Sequence, residues 1–226
     1  MPISLLTQMS IAMKIILIAL IGLILTGCET SKKSAQKEKY IFFLHNRFIQ
    51  LFDLNVVHPE YGRAEYNEIL NQFRDSGFTV LSEKRPHDTR TEEYANKIKN
   101  QIDSLLNSGV SPDHITIVGT SMGGYIAQYA STYLKNPDLN FVLIGCYMEN
   151  DIQTMPEIQL CGNILSIYEK SDTLGVSMQK RIEASQNKIP NFKEIELDTR
   201  LQHGFLYHPM EEWMKPTMQW AHGDYH

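Results

Sequence analysis

The sequence predicts an α/β fold: a single-domain three-layer α/β/α sandwich built on a mostly parallel sheet of about six strands. Three observations carry this. Short apolar, β-branched runs alternate along the chain with stretches whose apolar residues recur at helical spacing. The first run, Tyr40 to Leu44, is apolar throughout, as a strand covered on both faces requires. A Gly119-Thr120-Ser121-Met122-Gly123 turn then sits between a strand signal and a helix signal. With 226 residues, 42% hydrophobic and 21% charged, the chain is long enough for one sizeable core. A formal charge of −5 and no dense Lys/Arg stripe exclude nucleic acid as a partner.

The N-terminus stands apart from the fold. Lys14 is followed by an apolar run to Leu25, short for a membrane span, ending in Leu25-Thr26-Gly27-Cys28. That ending resembles the lipobox of bacterial lipoproteins, which implies that residues 1–27 are a signal peptide and that Cys28 is lipidated, anchoring the protein to a membrane of the cell envelope. No Lys or Arg precedes Lys14, so Met13 is a candidate true start. Residues 28–39 are polar and too poor in large apolar side chains to fold, and are expected to form a tether. The domain proper is expected over residues 40–226.

Within it, Tyr40 to Leu44 is the first strand and stops at His45-Asn46-Arg47. Pro59 to Ser76 reads as a helix with Tyr61, Ile69, Leu70 and Phe73 on one side and Gly77 as its cap. Phe78 to Leu81 is the second strand. Thr91 to Asn107 is the next helix, with Thr91 as N-cap, Tyr94, Ile98 and Ile102 along one stripe and Gly109 past its end. Ile115 to Val118 is the third strand, and Tyr125, Ile126, Tyr129, Ala130 and Tyr133 carry the following helix. Phe141 to Ile144, Asn163 to Tyr168 and Phe192 to Leu197 are the last strands, the final one alternating like an edge. Val176 to Ser185 and Glu211 to Trp220 are the remaining helices; Met148 to Cys161 has no clear pattern. Strict alternation implies right-handed crossovers, with helices on both faces and ligands beyond the carboxyl ends of the strands.

A serine on so sharp a strand-to-helix turn is pushed out of the sheet at a helix N-terminus, where free backbone N–H groups face any oxyanion formed beside it. Ser121 is therefore the candidate nucleophile. It needs an oriented base, and the other strand ends offer one. Asp172 follows the fifth strand in Glu169-Lys170-Ser171-Asp172, and His203 follows the sixth in Gln202-His203-Gly204-Phe205, with His208 a rival base. Glu169 is still governed by sheet alternation and Asp198 ends the histidine's own strand, which favours Asp172 as the acid. No histidine and carboxylate spacing suits a metal, so neither metal nor other cofactor is expected.

These features resemble the α/β-hydrolase family, over about Tyr40 to Trp220. The resemblance implies Ser121 as nucleophile, His203 as general base and acid, and Asp172 as the residue orienting the histidine. The two antiparallel strands that open the family's sheet have no counterpart, and Met148 to Cys161 is too short for a large lid, so this is a minimal form of that fold. It further implies an oxyanion hole from the backbone N–H of Met122 and of Arg47, although His45-Asn46-Arg47 stands where the family has H-G-x. The expectation is an envelope-anchored serine hydrolase, a carboxylesterase acting on small or medium acyl esters. Alternatives are a thioesterase, peptidase or acyltransferase on the same residues, or a non-catalytic binding lipoprotein.

Three further expectations concern single residues. Arg85 is expected to be solvated or ion-paired, or else to meet an anionic substrate group. Met148, Ile152, Met155 and Ile158 are expected either to wall the substrate pocket or to be ordinary core. Cys146 and Cys161 fall at opposite edges of the sheet, too far apart to bridge, and should be two buried free thiols.

Overall fold

The computed structural model describes residues 38–226. The expected signal peptide, Cys28 and all but the last two tether residues lie outside them. Those two are already tied to the domain: the Thr79 hydroxyl donates to Glu38 Oε1 at 2.5 Å and the Thr79 N–H to the Lys39 carbonyl at 2.9 Å, and Lys39 Nζ donates to the Ala221 carbonyl at 3.2 Å.

Six strands form one sheet: β1 (Tyr40–Leu44), β4 (Thr79–Leu81), β5 (Ile115–Thr120), β6 (Asn140–Ile144), β7 (Asn163–Glu169) and β8 (Phe192–Leu197). Their order is β4-β1-β5-β6-β7-β8, and every neighbouring pair is parallel. The apolar runs lie where two covered faces demand them, since Ile41, Ile117, Val142 and Ile164 are fully buried. On one face α2 (Tyr66–Asp75) and α7 (Glu211–Ala221) place Ile69, Phe73, Trp213 and Trp220 against Ile41, Val118 and Leu165. On the other, α3 (Thr91–Asn107) and α4 (Met122–Leu134) place Ile98, Ile102, Ile126 and Ala130 against Phe42, Ile117 and Phe141. Each such large apolar side chain contributes about 1.5–3 kcal/mol by leaving water.

Three local expectations are corrected. The helix expected from Pro59 begins only at Tyr66, because a two-stranded hairpin, β2 (Val57–His58) and β3 (Gly62–Arg63), precedes it. His58 Nδ1 accepts the N–H groups of Glu60 and Tyr61, both at 3.2 Å, which closes a turn where a helix would start. Thr91 is the first helical residue of α3 and not its cap; Arg90 holds the cap position, and the Thr91 hydroxyl reaches Met122 Sδ. The helix expected from Val176 is confined to α6 (Gln179–Ala184), because Glu194 of β8 takes the Ser177 hydroxyl at 2.6 Å and the Met178 N–H at 2.7 Å, holding that segment out of a helix. Two short helices go beyond the expectation: α1 (Arg47–Leu51) directly after β1, and α5 (Asp151–Thr154) within the unpatterned stretch.

Cys146 and Cys161 are free and buried. Ile158 is core and the half-buried Ile152 and Met155 pack against it, beside a buried Arg181 that donates to the carbonyls of Asp151, Met155 and Ile158. Among the described residues no helix is long and apolar enough to cross a membrane.

Candidate active site

Ser121 stands between β5 and α4, at the middle of the sheet's carboxyl edge. Its backbone has φ 49° and ψ −119°, a region that costs a non-glycine residue about 1–3 kcal/mol. The surroundings hold it there: the Ser121 N–H donates to the Ile144 carbonyl at 2.9 Å, and its own carbonyl accepts from Gly124 N–H at 2.8 Å. Both glycines of the G-x-S-x-G are needed for contact. A Cβ on Gly119 would lie 2.5 Å from the Gly123 carbonyl, and one on Gly123 would overlap the Leu44 carbonyl. The start of α4 thus abuts the end of β1.

The structure brings the three sequence-predicted side chains into one chain of hydrogen bonds. His203 Nε2 lies 2.8 Å from Ser121 Oγ, and His203 Nδ1 lies 2.6 Å from Asp172 Oδ2. The carboxylate has no hydrogen to give, so Nδ1 carries the proton and Nε2 is left to accept from the serine hydroxyl. The Asp172 side chain is 1% exposed and that of His203 12%, which keeps water from competing with this alignment. Asp172 Oδ1 takes the Leu174 N–H at 2.8 Å, fixing the carboxylate from its other side. Packing of the Tyr61 ring on Gly204, where a Cβ would meet it at 2.6 Å, fixes the histidine loop. Beside that loop opens a cavity of about 250 Å³ bordered by Glu60, Tyr61, Arg200, Leu201, Gln202 and His208.

The rivals are accounted for elsewhere. His208 pairs with Glu65 at 3.3 Å. Asp198 is exposed. Glu169 is fully buried and acts as a knot: it accepts the N–H and hydroxyl of Ser171, the N–H and hydroxyl of Thr199, and the Arg200 N–H. It thereby ties the loop carrying Asp172 to the loop carrying His203.

Met122 and Arg47 are each the first residue of a helix, α4 and α1, so their N–H groups have no intrahelical acceptor. Asn46, where the resemblance sets a glycine, needs no positive φ. It is extended at φ −67°, and its Oδ1 caps α1 by accepting the Ile49 N–H at 3.1 Å. The expectation for Arg85 is overturned. It is neither solvated nor ion-paired but 1% exposed, and it donates into the loop formed by His45 and Asn46. Sequence reasoning also passed over His45, which is fully buried. Burial, with the Arg85 charge beside it, lowers its pKa to about 3. The one signal in the sequence was position, since His45 directly follows the first strand and Arg85 lies just past the second. Among the described residues no three His, Cys, Asp or Glu side chains are placed to hold a metal ion.

Such an arrangement can activate a hydroxyl, store its proton and hold a developing oxyanion, the requirements of acyl transfer. A family model described as phospholipase/carboxylesterase matches residues 35–216. No curated protein matches the chain. Among solved structures, an esterase of the bacterial hormone-sensitive lipase family superposes with a TM-score of 0.55 at 15% identity, over 86% of this chain and 79% of that one. An esterase/lipase from an uncultured bacterium gives 0.54 at 15% identity, over 84% and 78%. The type II thioesterase YbtT of the yersiniabactin biosynthetic pathway gives 0.53 at 10% identity, over 85% and 96%. At these identities the likeness is one of fold.

Proposed function

Because the chain belongs to the phospholipase/carboxylesterase family of α/β-hydrolases, we propose that it is a serine carboxylesterase cleaving small or medium acyl esters through an acyl-enzyme. The observation that carries the reading is the continuous Ser121–His203–Asp172 hydrogen-bond chain. Ser121 Oγ attacks the acyl carbon as its proton passes to His203 Nε2. The tetrahedral oxyanion is held by the N–H groups of Met122 and Arg47. His203 then returns the proton to the leaving alkoxide, and the acyl-enzyme remains. A water deprotonated by His203 attacks the acyl carbon, Ser121 recovers its proton, and the acid departs. Asp172 keeps the proton-bearing nitrogen aimed away from the serine and compensates the imidazolium.

Labelling by a fluorophosphonate probe tests the reading: wild-type protein should react and Ser121→Ala should not, with hydrolysis of p-nitrophenyl acetate lost in parallel by about 10⁴-fold or more. An unlabelled wild type, or a Ser121→Ala variant that still turns over, would overturn it. Thioester, peptide and acyl-acceptor substrates belong in the same assay, since the same residues serve all of them.

The same proposal sets the protein on a membrane of the bacterial envelope through a lipidated Cys28 after loss of residues 1–27, with residues 28–39 as its tether. The support is the Leu25-Thr26-Gly27-Cys28 sequence behind its apolar run. Intact-mass analysis of membrane-extracted protein should find an acylated Cys28 at the N-terminus; a mature chain still beginning at Met1 or Met13 would refute the anchor.

A further inference from the structure

Arg85 is a fully buried guanidinium with no counter-ion, since no ion pair among the described residues includes it. Burial lowers its pKa only to about 10, so it stays charged at neutral pH. A buried cation left without a carboxylate is expensive, and a hydrophobic side chain would fill the space at lower cost. What it touches gives it a purpose. Nη2 donates to the His45 carbonyl at 2.5 Å and to the Asn46 carbonyl at 3.5 Å, and Nε donates to Gln50 Oε1 at 3.3 Å. All three partners belong to the loop and short helix that follow β1.

The same loop is held a second time through His45. The Arg85 backbone N–H donates to His45 Nε2 at 2.9 Å, so Nε2 bears no proton. The ring, kept neutral, must then carry its proton on Nδ1, which lies 2.8 Å from the Asn46 carbonyl and donates to it. The Asn46 carbonyl and the Arg47 N–H belong to one planar trans peptide and point in opposite directions. Drawing that carbonyl inward, toward the imidazole and the guanidinium, turns the Arg47 N–H outward from them. The loop lies against the start of α4, where Gly123 meets the backbone of Leu44 and His45.

We propose that Arg85 and His45 are positioning residues that set the Asn46–Arg47 peptide so that the Arg47 N–H serves as an oxyanion donor; this rests on the hydrolase reading above. The device replaces the glycine that the H-G-x loop would use: one buried guanidinium nitrogen, Arg85 Nη2, and a tautomer-locked imidazole hold the loop from its carbonyl side, while the Asn46 side chain caps α1.

Full-length Arg85→Lys, His45→Gln and His45→Asn test it, with fluorophosphonate titration counting the folded active sites in each. Lysine keeps the charge without the fork. Glutamine places an amide near Nε2, and asparagine places an N–H near Nδ1. Losing one oxyanion donor costs about 10²–10³-fold in kcat, so a misaimed one should cost about 10-fold or more in Arg85→Lys and His45→Gln, with KM changed less than about threefold. Binding of a trifluoromethyl ketone, whose adduct on Ser121 is a tetrahedral oxyanion, should weaken by the same factor. His45→Asn, which restores the donor to Asn46, should recover most of the loss. Unchanged kcat per titrated site in Arg85→Lys and His45→Gln overturns the proposal, as does a loss of kcat with undiminished ketone binding, or a His45→Asn no better than His45→Gln. A wild type that neither turns over nor labels overturns the hydrolase reading and this device with it.

Discussion

His203 Nδ1 meets Asp172 Oδ2 at 2.6 Å across two separate loops, while Asp198, nearer to the histidine along the chain, is exposed. Asp172→Asn should therefore lose about 10⁴-fold in kcat, with a native circular-dichroism spectrum, because an amide no longer enforces the tautomer the serine needs. Asp198→Asn should stay near wild type. The reverse result in parallel ester assays would move the acid to the end of β8.

Glu169 accepts five hydrogen bonds, from both loops that carry Asp172 and His203. Replacing one oxygen by an amide nitrogen in Glu169→Gln sets a donor against donors. The expected cost is about 1–3 kcal/mol of stability, read from urea unfolding. Activity should fall less than in Asp172→Asn; an unchanged unfolding midpoint would show that the knot holds nothing.

At Gly123 a Cβ would overlap the Leu44 carbonyl, which is backbone and cannot step aside. Gly123→Ala should force α4 away from β1 at a cost of about 1–3 kcal/mol or more, and should lower ester hydrolysis together with stability. Denaturant unfolding and the p-nitrophenyl acetate assay on one preparation check both; a variant with wild-type values in each contradicts the packing.

The buried His45 has a folded pKa of about 3 against an ordinary 6.5. Between these values the unfolded chain binds a proton that the folded chain refuses, so stability rises with pH there. The contribution is fully present above about 6.5 and is lost as pH falls toward 3, with a slope of up to about 1.4 kcal/mol per pH unit. His45→Asn should flatten this part of the stability curve relative to wild type. Parallel curves for the two proteins, from urea titrations at pH 7, 6, 5 and 4, would refute the linkage.

Much of the architecture was legible in the chain because a parallel sheet covered on both faces needs apolar strands, and those runs cannot be disguised. Tyr40–Leu44 and Phe192–Leu197 were read to the residue, and so was the extent of α3. Where the reading slipped, a side chain from elsewhere in the sequence overrode local pattern. Glu194 of the neighbouring strand stopped the helix expected from Val176, and the His58 ring closed a turn inside the one expected from Pro59.

At the site, the sequence by itself determined that Ser121 lies on a strained turn and that Asp172 and His203 follow later strands, since parallel strands send every loop at their carboxyl ends to one edge. Only the tertiary structure decided what stands behind them. Arg85, His45 and Asn46 act on one another across 40 positions, and Glu169 meets Thr199 and Arg200 across two strands. Periodicity records only which face of its own strand or helix a residue occupies. Whether a buried arginine faces a carboxylate or a carbonyl depends on which loops the fold sets side by side, and that is settled by packing.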